Sequence, residues 1–207
     1  MTSVPKPLKF LHPHYPELQR LYETWPSSEN KVGRVPCWKR IVNTQLLQSL
    51  FADILSVLAM TYSDTEPRGT LRYRLLSASL APAGSQISEP GSWGHEYVRH
   101  LAAELGEEYS ARVLGEADTA AALEKDSDAA QEAAKPPQVI GTIDDLRDLA
   151  MVCATFLLHH NAEPDAVDLL EELEIVSRIS ELVDENTYER VCQYMIRWVL
   201  LRECVSV

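Results

Sequence analysis

SWGHEYVRHLAAELGEEY, residues Ser92 to Tyr109, decides the reading of the fold, because it joins a helix start to a continuous apolar face. Ser92 follows Pro90 and Gly91 and is placed to cap the open amides of a helix beginning near Trp93. From there Trp93, Tyr97, Leu101 and Leu105 recur four apart, with Val98 and Ala102 beside them. One side of this helix is therefore aromatic and aliphatic, and it has to be buried against other helices.

The same stretch holds His95, Glu96 and His100, which invites comparison with zinc hydrolase helices, where two histidines four apart reach one metal. Here the second histidine comes five residues after the first, with Arg99 in the position four on. At roughly 100° per residue, five steps turn the second imidazole by about 140° from the first, so the rings diverge. Solvated or packed histidines are the expectation, and a metal site is not.

Upstream, Ser49 to Met60 reads as a helix with Leu50, Ile54, Val57 and Leu58 on one side and Phe51 and Leu55 adjoining. The polar break from Ser63 to Gly69 and a second helix capped by Thr70, through Leu71, Tyr73, Leu75 and Leu76, complete a helical hairpin. Ser79 to Gly91 is a Ser, Pro, Gly and Ala loop. Before the hairpin, the prolines at 5, 7, 13 and 16 favour an extended lead-in. Pro16 then opens a short helix using Leu18, Leu21 and Tyr22.

Downstream, Gly106 to Gly141 is rich in Ala, Glu and Asp, with a Pro136-Pro137 stop, and is expected to be a mobile, disordered acidic linker. Order restarts at Thr142, with Asp144 and Asp145 favouring the helix dipole. Leu146, Leu149, Ala150, Cys153, Phe156 and Leu157 form the next apolar stripe. Asn161 is placed to cap a further helix with Pro164 in its first turn and Val167, Leu169, Leu170 and Leu173 inward. A bend near Ile175-Val176 precedes a last helix, opened by an Asn186 and Glu189 capping box and lined by Tyr188, Val191, Cys192, Met195 and Val199. No β-branched alternation persists, so the fold class is all-α, built of antiparallel helical hairpins in an α-solenoid-like manner.

The 207 residues, 45% of them hydrophobic, suit one domain or two small ones. Charge is uneven: residues 1–100 hold 11 Lys and Arg against 8 Asp and Glu, whereas residues 101–207 hold 8 against 23. Nucleic acid and membrane are poor partners for so acidic a half. Pro5, Lys6, Pro7 and Lys9 stand where a signal peptide would have its apolar core, so a soluble intracellular chain is expected. Cys37, Cys153, Cys192 and Cys204 are far apart with no paired spacing, and Cys153 and Cys192 lie on apolar helix faces as core residues.

Phosphate loops, nucleophile elbows and dinucleotide turns are missing from the sequence. Pairs such as Asp144-Asp145 and Glu171-Glu172 lie on polar helix faces where nothing tunes their pKa. No catalytic, cofactor-binding or metal-ligating residue is therefore assigned, no cofactor or small-molecule substrate is expected, and the chain is read as a non-enzyme.

Three blocks in order, FADILSVLAMT (Phe51 to Thr61), SWGHEYVRHLA (Ser92 to Ala102) and HNAEPDAVDLLEELE (His160 to Glu174), resemble the N-terminal helical region of a known family. These are the large non-ATPase scaffold subunits of the 26S proteasome regulatory particle base, in particular the ubiquitin-shuttle-docking subunit. The resemblance implies a non-catalytic scaffold, cytoplasmic and nuclear, that serves ubiquitin-dependent degradation. It implies contact with the coiled coils of the proteasome ATPase subunits and with other regulatory particle subunits. Trp198 to Val207 departs from the family, which continues into a ring of repeated helical hairpins, so a truncated or mis-spliced gene model is expected. Ubiquitin or shuttle-factor binding, which belongs to that ring, is not carried over. Two other readings stand beside this one: a free-standing helical adaptor unrelated to the proteasome, and a metal hydrolase using His95, Glu96 and His100, which requires stoichiometric zinc.

The resulting organisation is a lead-in and short helix at 1–31, an atypical basic insert at 32–48, helical regions at 49–105 and 142–197 separated by the linker at 106–141, and a divergent tail at 198–207. The insert, VGRVPCWKRIVNTQLLQ, separates Lys31 from Ser49, which the family joins almost directly. Its Val32 codon begins with GT and its Gln48 codon can be CAG, the ends of an intron, and our hypothesis is that it is a translated intron. Sequencing of the mature transcript is expected to show these codons removed; a message that keeps them overturns the hypothesis.

Overall fold

The computed structural model describes residues 6–24, 37–82, 89–122 and 139–205, with side chains over 8–24, 45–82, 89–115 and 139–197. Among the described residues every regular element is helical, as expected for an all-α chain. The chain divides into two compact units, Met1–Leu101 and Ala102–Val207.

In the first unit, α1 (Lys6–Leu11), a 3-10 turn (His12–His14) and α2 (Tyr15–Glu23) replace the expected extended lead-in. Prolines 7, 13 and 16 each fall in the first turn of a short helical segment, where their missing N–H costs nothing. The packing side of α2 is not Leu21, which is 54% exposed, but the buried Tyr15. The Tyr15 hydroxyl donates to Glu66 Oε2 at 2.7 Å, and its ring stacks on Tyr62 with centroids 4.7 Å apart. Tyr22 meets Phe51 and Tyr73 edge-on.

α3 (Cys37–Ala59) and α4 (Gly69–Leu80) form the expected hairpin. α3 starts at Cys37 and not at Ser49, so the backbone runs as one helix across the expected boundary at residues 48 and 49. Rungs of hydrogen bonds fix the antiparallel register. Ser49 and Ser77 each donate a hydroxyl to the other's carbonyl at 2.8 Å, Arg74 Nη1 donates to Asp53 Oδ1 at 2.8 Å, and Ser56 Oγ donates to the Thr70 carbonyl at 2.7 Å. Ser49, Ala52, Ser56 and Ala59 are all buried and recur at intervals of three and four, a small-residue stripe that lets the helices approach closely. At the turn the approach is close: a Cβ on Gly69 would stand 3.1 Å from the Ala59 Cβ.

Leu55, Val57 and Leu58 are buried, but Leu50 is 45% exposed, so the inward face is turned from the one its leucines suggested. Gln45–Tyr62 is long and apolar enough to cross a membrane by length and composition, but half of it is buried inside the protein and it carries Asp53 in its paired state. Thr70 does not cap α4. Arg68, in the left-handed region at φ 64°, precedes the helix, and the Thr70 hydroxyl is buried with no hydrogen-bond partner.

α5 (His95–Ala122) gives its first residues to this unit and the rest to the second. Ser92 is not its cap either: Pro90–Trp93 is a 3-10 turn, the Ser92 hydroxyl donates to the Glu89 carbonyl at 2.7 Å, and Gly94 at φ 100° makes the break. Tyr97, Val98, Leu101, Ala102 and Leu105 are all buried as expected. The helix continues past Gly106 to Ala122, so the linker does not begin at residue 106. Ala and Glu extend a helix once its first turns are packed. The remainder of the expected acidic segment, residues 123–138, lies outside the described residues.

In the second unit, α6 (Ile143–His159) begins with a capping box: Thr142 Oγ1 accepts from the Asp145 amide, and Asp145 Oδ2 accepts from the Thr142 amide at 2.6 Å. Leu146, Ala150, Cys153 and Leu157 are fully buried. α6 packs on α7 (Glu163–Glu172) as a second hairpin, with Val167, Leu169, Leu170 and Leu173 inside. Asn161 is an exposed left-handed residue at φ 58° in the connection, and Ala162 occupies the cap position instead. The bend is a left-handed Glu174 followed by a 3-10 turn at Val176–Glu181. α8 (Tyr188–Val205) is opened by Asp184 and Thr187, not by Asn186 and Glu189. Asp184 Oδ1 accepts the amides of Asn186 and Thr187 at 3.0 and 2.9 Å, and Thr187 Oγ1 accepts the Asp184 amide.

Asp53→Ala leaves the Arg74 guanidinium buried without its carboxylate, and removing one partner of such a pair costs about 3–5 kcal/mol. Urea unfolding followed by circular dichroism is expected to show that loss in the first unit. A cost below about 1 kcal/mol overturns the role given to the pair.

Candidate functional site

His95 opens α5, Glu96 is exposed in its first turn, and His100 is half-buried one turn on. Among the described residues no three His, Cys, Asp or Glu side chains come together in a way that could hold a metal ion. His159 and His160 are both exposed, and His160 stacks on Phe156 with centroids 3.9 Å apart and places Nδ1 2.7 Å from the Phe156 carbonyl.

Several buried charged and polar groups hold helices together. The second Asp53 oxygen accepts the Trp93 indole N–H at 3.0 Å, so this one carboxylate joins α3, α4 and the turn before α5. Ser56 gives its only proton to the Thr70 carbonyl, so across the 2.7 Å contact between them it is the Tyr97 hydroxyl that donates. In the second unit Tyr109 accepts from Arg147 Nη2 and donates to Glu174 Oε2, both at 3.0 Å. Glu163, 6% exposed, accepts from Arg190 Nε at 2.6 Å, and Tyr194 donates to Asp168 Oδ1 at 2.8 Å, so two bonds fasten α8 to α7.

The resolved pKa shifts have the same structural origin. Burial pushes up the phenols of Tyr15 and Tyr73, and it raises Tyr22 and Tyr194 to about 12. The amide and hydroxyl of Thr142 lower Asp145, and the hydroxyl of Thr187 with the neighbouring amides lowers Asp184. These shifts carry the phenols and carboxylates away from neutrality, the opposite of what proton transfer near pH 7 requires. Glu172 is the exception: burial, then Asp168, Glu171 and Glu107, raise it.

Cys153 is buried as expected, but Cys192 is exposed. With Tyr188 at 54% and Ile196 at 62% exposure, it forms a stripe at every fourth residue of α8, on the side not fastened to α7. Apolar spacing identified these residues as a helix face, but spacing alone does not say that the face is left outside. The small-residue seam and the tyrosine-centred contacts were missed because serine, alanine and tyrosine do not read as a hydrophobic stripe.

Helices cross-braced by paired polar groups, with one helix face left open, make up an all-helical module. The RPN1 N-terminal domain family model matches residues 1–203, and the chain belongs to that family. It is 42% identical over 201 residues to the 26S proteasome regulatory subunit rpn-1 of Neurospora crassa, covering 97% of this chain and 17% of that protein. It is 43% identical over 203 residues to the 26S proteasome regulatory subunit RPN1 of Candida glabrata, covering 97% of this chain and 18% of that protein. With the 26S proteasome non-ATPase regulatory subunit 2 homolog A of Arabidopsis thaliana it shares 37% identity over 195 residues, 94% of this chain and 16% of that protein. The family resemblance of the three blocks is thereby confirmed, and the chain spans about 17% of the length of such relatives.

Because Glu172 has a folded pKa above its ordinary 4.5, the folded chain holds this proton more tightly than the unfolded chain. Stability therefore falls as pH rises from 4.5 through the raised value, and the cost is constant above it. Glu172→Gln is expected to raise the urea midpoint of the second unit at pH 7 by a small amount, with the difference vanishing below pH 4.5. A Gln variant less stable than the parent at pH 7 contradicts this.

Proposed function

We propose that this chain acts as a non-catalytic scaffold in the base of the proteasome regulatory particle, serving ubiquitin-dependent protein degradation through protein–protein contacts. The observation that carries the reading is the family match along residues 1–203, with relatives named as 26S proteasome regulatory subunits. Its partners are the coiled coils of the ATPase subunits and other subunits of the particle, and its setting is the cytoplasm and nucleus. The buried ionisable groups support a structural role, because the described contacts tie helix to helix. Each of the hairpins α3/α4 and α6/α7 is proposed to be a unit of the solenoid-like kind, and the Tyr188, Cys192 and Ile196 stripe offers a helical partner an apolar face.

An affinity-tagged full chain expressed in cells is expected to co-purify with proteasome ATPase subunits. Ile196→Asp is expected to reduce that recovery about tenfold, the scale of a central apolar contact. Its side chain is 62% exposed, so stability is expected to stay within about 0.5 kcal/mol of the parent. A folded, monodisperse chain that never recovers ATPase subunits overturns the proposal and leaves the free-standing adaptor.

A further inference from the structure

The backbone that enters α6 from Val139 is held by a side chain of α5. Arg112, on α5, donates Nη2 to the Val139 carbonyl at 2.8 Å and Nη1 to the Gly141 carbonyl at 2.7 Å. Its Nε donates to Glu108 Oε1 at 2.8 Å, and Glu108 is itself 3% exposed, so the guanidinium is aimed by a buried carboxylate one turn back. Val139 is buried, Gly141 turns the chain at φ 111°, and Thr142 then enters the capping box that starts α6. Arg112 thus bonds to the chain 27 and 29 residues ahead, immediately before the cap.

We propose that Arg112, beside the Tyr109 bonds to Arg147 and Glu174, is a positioning residue that ties the backbone before the α6 cap to α5, so that the second unit stays assembled whether or not the covalent path between residues 122 and 139 is intact. The fork of a guanidinium meets two carbonyls and a carboxylate at once, and a lysine ammonium has no such planar set of donors.

The test replaces residues 127–132 in the full chain with the recognition sequence of a site-specific protease and cuts it there. The two pieces of the cut parent chain are expected to elute together with unchanged helical circular dichroism. In the cut Arg112→Met chain they are expected to separate, or amide exchange at residues 143–146 is expected to rise at least about tenfold. If Arg112→Met does not fold before cutting, Arg112→Lys takes its place, with the same rise in exchange expected. Parent pieces that fall apart on cutting overturn the proposal, and so does a cut variant indistinguishable from the cut parent.

Discussion

A carboxylate left 3% exposed inside a helical hairpin must be matched or neutralised, and the first unit is arranged around how Asp53 is matched. One oxygen takes the Arg74 guanidinium from α4 and the other takes the Trp93 indole from the turn before α5. For those donors to reach, α3 and α4 must lie close, which the small residues at 49, 52, 56 and 59 permit. The reciprocal Ser49 and Ser77 bonds then set the register on one side of the pair, and Ser56 with Thr70 sets it on the other. A slip along the seam would break these polar pairings together, whereas a seam of leucines alone would tolerate one with less penalty.

How far the fold could be read from the sequence depended on which signal a residue carries. Large apolar side chains at helical spacing were legible: Tyr97, Leu101 and Leu105 on α5 are buried, and so are Leu146, Cys153 and Leu157 on α6. Helix starts were less legible, because a cap is defined by backbone angles that neighbouring residues decide. Thr142 caps as expected, but Ser92 donates backward to Glu89, and Asn161 adopts left-handed backbone in place of capping. At α8 the reciprocal pairing lies two residues earlier than the capping-box pattern suggested, on Asp184 and Thr187. The continuation of α5 to Ala122 was hidden because Ala and Glu have no apolar stripe, although their helical propensity is high.

The functional reading had two independent sources of unequal reach. Family membership was legible in the three blocks, and all three coincide with packed parts of the fold: Asp53, Ser56 and Leu58 in the first, Tyr97, Val98 and Leu101 in the second, and Val167, Leu170 and Leu173 in the third. The ionisable residues that catch the eye, His95, Glu96 and His100, are not the ones that carry the long-range bonds described above. Those are made by Asp53, Arg74, Tyr109, Arg112 and Glu163, with partners 21 to 65 residues away in sequence, and so are invisible to local spacing.

α8 shows how an exposed apolar face follows from the same accounting. A helix fastened by Arg190, Val191 and Tyr194 has its position decided on that side, with polar bonds to Glu163 and Asp168 fixing its rotation. The rotation leaves Tyr188, Cys192 and Ile196 facing outward, since residues four apart share a face. Turning the helix to bury them would break both polar bonds and leave Glu163 buried without its arginine, which is the more costly state. The open apolar face is therefore a consequence of how the buried acid is paired, and a second helix can cover it without disturbing that pairing.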